Sequence, residues 1–133
     1  MSNIWNFKIA LKDIGIFSAI SKEYKIVFPD DLKAFIIENN AASPEANCVD
    51  IDGVERVYDE TLSFNEDELD ASTFKSSMNA LGKNDFLPFA KDPFGNYFCY
   101  CLNTNTIAFY DHEEDKIINT DYALKAFIEG LYW

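Results

Sequence analysis

The feature that most constrains this chain is an aromatic stretch in its second half, LPFAKDPFGNYFCYCL at residues 87–102, which is followed by TIAFYDH at residues 106–112. Residues 97–102 are all apolar or aromatic, and turn-forming residues lie on both sides of them. A short apolar run of this kind predicts a central strand that is covered on both faces. The stretch therefore predicts a buried β-meander, and it contains no catalytic motif.

Length and charge limit the remaining possibilities. A chain of 133 residues is typical of one domain, here residues 1–133, which buries about 68% of the surface of its unfolded form. The net charge of −12 argues against nucleic acid or an anionic membrane as a partner, because both would repel it. A basic protein partner is favoured instead. The sequence has neither a bilayer-spanning apolar run nor a signal-peptide pattern, so the cytoplasm is the expected compartment.

The three cysteines are predicted to be reduced core thiols. Cys48, Cys99 and Cys101 cannot all pair with one another, and the last two lie on the same face of one strand. Cys99, Cys101 and His112 could in principle meet as metal ligands. Structural zinc requires four ligands in short-spaced pairs, however, so the spacing favours buried thiols and no metal site.

Apolar residues at helical spacing predict four helices. Pro29, Asp30 and Asp31 suit the first turn of the second helix, and Gly82 is typical of a residue that ends a helix. The predicted helices are Ile14–Tyr24, a helix from Pro29 that closes at Asn39 and Asn40, a helix from about Leu69 to Leu81, and a last helix capped by Thr120 or Asp121.

A β-hairpin is predicted over residues 48–58. Asp52 and Gly53 supply the positive φ angles that a two-residue turn requires. The register then places Asp50 directly opposite Glu55, so two carboxylates meet on one face. The aspartates of this segment also resemble a calcium loop, but Cys48 stands where an oxygen ligand is needed, and strands fit better than flanking helices.

Acidic residues dominate the polar surface that the sequence predicts. Residues 50–70 contain nine acids and one base, so this segment is expected to lie mostly in water. Acid pairs such as Asp50 with Glu55 could do acid–base chemistry, but they stand in polar runs, where ordinary solvated behaviour is expected. His112 lies among acids with no nucleophile motif nearby. The sequence therefore predicts no catalytic residue, no cofactor and no metal.

The order of several short motifs resembles the SUKH superfamily, which includes the fungal Smi and Knr cell-wall regulators. FPDDLKAFI at residues 28–36, followed by Asn39 and Asn40, is similar to the family's early helix. LPFA at residues 87–90, Asp92, GNYF at residues 95–98 and IAFYDH at residues 107–112 are similar to its later signature. Ala41 stands where the family often has glycine. The resemblance implies an α+β fold with a mixed or mainly antiparallel sheet packed against several helices.

The resemblance also implies a function. Many bacterial members are immunity proteins, which bind and block a cognate toxin, often a nuclease, without turnover. The alternative is a regulatory protein-interaction scaffold of the Smi and Knr type. In the first case a basic toxin would meet acidic clusters on this chain. The predicted partner-binding residues are Asp50, Glu55, Glu66, Asp67, Glu68, Asp92, Asp111, Glu113, Glu114 and Asp115.

Overall fold

The computed structural model of the protein describes residues 3–66 and 72–133. Within them the helices are α1 (Ile16–Tyr24), α2 (Asp30–Asn39), α3 (Phe74–Leu81) and α4 (Leu124–Glu129). The strands are β1 (Trp5–Asn6), β2 (Ser43–Pro44), β3 (Cys48–Ile51), β4 (Val54–Val57), β5 (Glu60–Thr61), β6 (Phe86–Lys91), β7 (Tyr97–Cys101), β8 (Thr106–Asp111) and β9 (Lys116–Asn119). Every strand pair is antiparallel. The predicted α+β class is confirmed.

The aromatic stretch forms the centre of a five-stranded sheet in the order β5-β6-β7-β8-β9. Four of the five residues of β7 are buried, as the unbroken apolar run predicts for a strand covered on both faces. Phe98 and Tyr100 point to the main core, which also holds the apolar faces of the helices. Cys99 points to the opposite face, where it packs with Leu81 and Tyr110 in a smaller cluster.

The predicted helices are present, with changed boundaries. α1 begins at Ile16, and Ile14 before it is 62% exposed. α3 ends at Gly82, which has a φ of +67°, as predicted, but Ser72 and Thr73 precede the helix. The predicted start of this helix at Leu69 lies outside the described residues.

The predicted cap of the last helix is wrong. α4 begins after Ala123, which makes no side-chain capping bond. Thr120 instead uses its hydroxyl to donate a hydrogen bond to the Ile107 carbonyl, 2.5 Å away. The same hydroxyl oxygen accepts a local hydrogen bond from the Tyr122 backbone N–H (3.2 Å), in a turn that precedes the helix. The helix cap therefore lies two or three residues later than the sequence predicts.

Buried amide side chains hold the segment before α1 against the fold. Asn40 donates to the Ile9 carbonyl (2.9 Å) and accepts from the Phe64 backbone N–H (2.8 Å). Asn65 accepts from the Lys12 backbone N–H in the same way (2.9 Å). Ala41 has a φ of +62°, a conformation that favours glycine, which gives a physical reason for the glycine that the family often has at this position.

Candidate protein-binding surface

Asp50 and Glu55 face each other across the β3–β4 hairpin, as the sequence predicts. Asp52 and Gly53 turn the chain with φ angles of +51° and +79°, and this turn fixes the register. Both carboxylates are exposed. Like charges directly opposite each other destabilise a strand pair, so the hairpin holds this pair together against its own repulsion.

The hydroxyl of Tyr132 lies between these two carboxylates. It donates to Asp50 Oδ1 at 2.7 Å and lies 3.2 Å from Glu55 Oε1. Its backbone is fixed by two hydrogen bonds with Cys48, of 2.8 and 3.0 Å. Hydrogen bonding to Asp50 and burial raise the pKa of the Tyr132 phenol, so the phenol remains a proton donor at neutral pH. One phenol hydrogen cannot satisfy two carboxylates.

The one basic residue of the hairpin does not neutralise this pair. Adjacent residues of a strand point to opposite faces, so Arg56 points away from Glu55 and towards the sheet. Its guanidinium lies 4.6 Å from the centre of the Phe109 ring, over its face. Among residues 3–66 and 72–133 the ion pairs join Lys83 to Asp115 and Lys91 to Glu60. In this part of the chain Asp50 and Glu55 therefore form no ion pair.

A second acidic group lies at the turn between β8 and β9. Asp111 Oδ1 accepts hydrogen bonds from the backbone N–H groups of Glu113 (3.1 Å) and Glu114 (3.4 Å). Asp115 accepts from the Tyr110 hydroxyl at 2.7 Å and lies 3.8 Å from Lys83 Nζ. Asp111 and Asp115 are thus partly engaged within the protein, whereas Glu113 and Glu114 are exposed.

The other predicted contact residues have different positions. Glu66 is exposed near α1, while Asp67 and Glu68 lie outside the described residues. Asp92 is only 2% exposed, so its expected place on the binding surface is wrong. Burial of a carboxylate requires hydrogen-bond partners, and Asp92 has three of them in the loop after β6.

Asp92 and Asn96 organise the loop between β6 and β7. Asp92 Oδ1 accepts from the backbone N–H groups of Phe94 (2.8 Å) and Asn96 (2.9 Å), and its Oδ2 accepts from the Asn96 amide (2.8 Å). Asn96 Oδ1 accepts from the His112 backbone N–H (3.0 Å) and lies 2.9 Å from His112 Nδ1. That ring nitrogen must therefore carry a proton. Gly95, with a φ of +87°, lies under the His112 ring.

Two of the three cysteine thiols have a raised pKa. Burial and the nearby carboxylates Glu55 and Asp50 raise the pKa of the half-buried Cys48 thiol, and burial raises that of Cys99. A thiol with a raised pKa forms little of the nucleophilic thiolate. Within the described part of the chain no three His, Cys, Asp or Glu residues are placed to hold a metal ion.

Sequence reasoning missed the part that Tyr132 plays. It lies 82 positions from Asp50, and no local spacing pattern reports a contact over that distance. The Asp92 loop could have been found, since Asp92 precedes Pro93, Gly95 and Asn96, and these residue types are typical of tight turns.

The described residues contain no helix both long and apolar enough to cross a membrane.

A family model described as SMI1-KNR4 cell-wall, SUKH_6, matches residues 17–128. The chain belongs to this SUKH family. The match covers the hairpin, the Asp92 loop and the whole five-stranded sheet, and it confirms the resemblance found in the sequence. No curated protein matches the chain significantly. Family membership supports a protein-binding role of the Smi and Knr type.

Proposed function

We propose that the protein is a non-enzymatic immunity protein that binds and blocks a basic toxin of a contact-dependent or polymorphic toxin system. A nuclease is the favoured class of toxin, because its substrate-binding cleft must be basic to bind phosphates. The observation that carries the proposal is the exposed pair of Asp50 and Glu55, which the hairpin holds together without an ion pair in the described residues. A basic surface would relieve their repulsion on binding.

The remaining acids have a supporting part in this proposal. Glu66, Asp67, Glu68, Asp111, Glu113, Glu114 and Asp115 add to the negative field that attracts the toxin. Electrostatic attraction of this kind acts mainly on the association rate, whereas groups buried in the interface also control dissociation. Asp92 is left out, because its carboxylate is used within the loop.

Charge reversal at the hairpin tests the proposal. The candidate partners are proteins encoded by the genes next to this protein's own gene, where a cognate toxin is expected under this proposal, and binding of each is followed by surface plasmon resonance. We expect the double variant Asp50→Lys/Glu55→Lys to slow association about tenfold and to speed dissociation by a similar factor. The matched control Glu113→Lys/Glu114→Lys changes the net charge equally, and we expect it to slow association only.

Survival of cells that express the toxin tests whether the protein neutralises the toxin in the cell. Co-expression of the wild-type protein should protect them, and the hairpin double variant should protect them poorly. Unchanged toxin binding and unchanged protection after charge reversal at both acid pairs, Asp50 with Glu55 and Glu113 with Glu114, would contradict the proposal. A partner that is an endogenous protein rather than a toxin would support the regulatory scaffold, which the cell-wall description of the family model also favours.

A further inference from the structure

A small cavity lies beside the Asp50–Glu55 pair, between β3, α4 and the residues that follow α4. Its volume is about 210 Å³, and its lining includes Val49, Asp50, Tyr122, Phe127 and Tyr132. Sites for drug-sized ligands usually measure about 300–1,000 Å³, and this cavity corresponds to roughly seven water molecules. It suits the end of a single side chain better than a small-molecule substrate.

The walls of the cavity are built before any ligand arrives. The backbone pairing of Tyr132 with Cys48 fixes one aromatic wall. Tyr122 forms another wall. Its backbone carbonyl accepts a hydrogen bond from the Ile107 N–H at 2.8 Å. The centre of the Tyr122 ring lies 6.4 Å from the centre of the buried Phe127 ring. Rigid walls lower the entropy cost of binding a side chain between them.

The chemistry of the lining favours a cation with a flat, polarisable face. Asp50 contributes a carboxylate that forms no ion pair in the described part of the chain, and Glu55 lies on the other side of the shared phenol hydroxyl. The aromatic rings attract a cation placed over their faces. A guanidinium group stacks on such rings and also pairs with a carboxylate in a planar geometry, whereas an ammonium group holds its water more strongly.

We propose that this cavity receives an arginine side chain of the partner protein, whose guanidinium group pairs with Asp50 and lies against Tyr122 and Tyr132. The inference rests on the proposed function, since it assumes a basic protein partner. It goes further by naming the anchor residue and the place where it binds. Buried arginines of this kind are common among the residues that dominate binding energy in interfaces.

The test uses small probes and needs no toxin. Ethylguanidinium, propylammonium and the uncharged N-ethylurea are titrated separately into the isotope-labelled protein, and NMR follows the amide signals of Gly130 and Tyr132. We expect saturable shifts with ethylguanidinium, binding about fivefold weaker with propylammonium, and no saturable shift with N-ethylurea.

Variants locate the binding site. Asp50→Asn keeps the shape of the side chain, and we expect it to weaken ethylguanidinium binding about tenfold. Tyr122→Leu should weaken it about fivefold, and the control Asp85→Asn, at an exposed aspartate that does not line the cavity, should leave it unchanged. Thermal melting of each variant shows that it is folded.

Three results would overturn the inference: equal binding of N-ethylurea, propylammonium binding at least as tight as ethylguanidinium, or shifts that Asp50→Asn does not reduce. Its failure can be distinguished from failure of the proposed function. Toxin binding that depends on Asp50 and Glu55 in a protein with no guanidinium site would remove this inference alone. A guanidinium site in a protein that binds no toxin would instead remove the proposed function.

Discussion

Replacing Tyr58 by alanine is expected to lower the free energy of unfolding by about 4 kcal/mol. The side chain is completely buried, and its ring links the hairpin to the main sheet and to α4. Deleting it removes apolar contacts and leaves a cavity that the surroundings fill only partly. The rings in contact with it are those of Trp5, Phe89, Phe98 and Phe127. Urea denaturation measures the loss.

The hydroxyl of Tyr58 can be tested apart from its ring. It shares a 2.5 Å hydrogen bond with Thr61 Oγ1, and both residues are fully buried. Tyr58→Phe should cost about 1–2 kcal/mol, because the Thr61 hydroxyl is left without its partner. The double variant Tyr58→Phe/Thr61→Val removes both polar groups and should recover most of this loss. A double variant with the summed loss of both single variants would contradict this account.

The same hydroxyl affects stability at high pH. Burial raises the pKa of the Tyr58 phenol above its ordinary value, so the folded protein holds this proton more tightly than the unfolded chain does. The resulting stability is complete below the unfolded pKa of about 10 and is lost as the pH rises above it. Tyr58→Phe should therefore lose less stability than the wild type when the pH rises from about 9 to about 11, roughly one unit either side of that pKa.

Replacing Asp92 by alanine is expected to cost about 3 kcal/mol and to lower the melting temperature by roughly 10 °C. The change leaves three donors without their acceptor: the part-buried N–H group of Phe94, and the buried N–H group and side-chain amide of Asn96. It also frees Asn96, which holds the turn at His112. Thermal melting followed by circular dichroism measures the effect.

The asparagine variant shows whether the carboxylate itself is required. Asp92→Asn keeps one acceptor oxygen for the backbone N–H groups, but its new amide meets the amide of Asn96 donor to donor. We expect Asp92→Asn to lower the free energy of unfolding, but by less than Asp92→Ala does. The exposed Glu113→Ala should change stability by no more than about 0.5 kcal/mol. Equal stability of Asp92→Ala and this control would contradict the role assigned to Asp92.

Local patterns predicted the parts of the fold that depend on neighbouring residues. The Asp52–Gly53 turn and the alternation of the strands were enough to place Asp50 opposite Glu55, and Gly82 was enough to end α3. Contacts between distant segments escaped this reasoning. Thr120 has the chemistry of a cap but bonds to β8, because a tertiary partner competes with the local one.

The candidate site likewise has one part that local sequence patterns predict and one part that they do not. The acidic hairpin could be predicted from residues close together in the chain, but its aromatic cavity could not. The cavity joins Asp50 to Tyr122 and Tyr132, which are far apart in sequence and come together only when α4 packs against the hairpin. Asp92 misled the prediction because a charged residue is expected at the surface, whereas three hydrogen bonds allow it to be buried here.

The ionic-strength dependence of toxin association tests the central claim most directly. Association rate constants are measured by stopped flow at a series of salt concentrations, with the wild-type protein and with Asp50→Lys/Glu55→Lys. We predict that the wild-type rate falls steeply as salt screens the charges, and that the variant gives a slower rate with a shallower dependence. Equal rates for the two proteins, with no dependence on salt, would contradict recognition through the acidic hairpin.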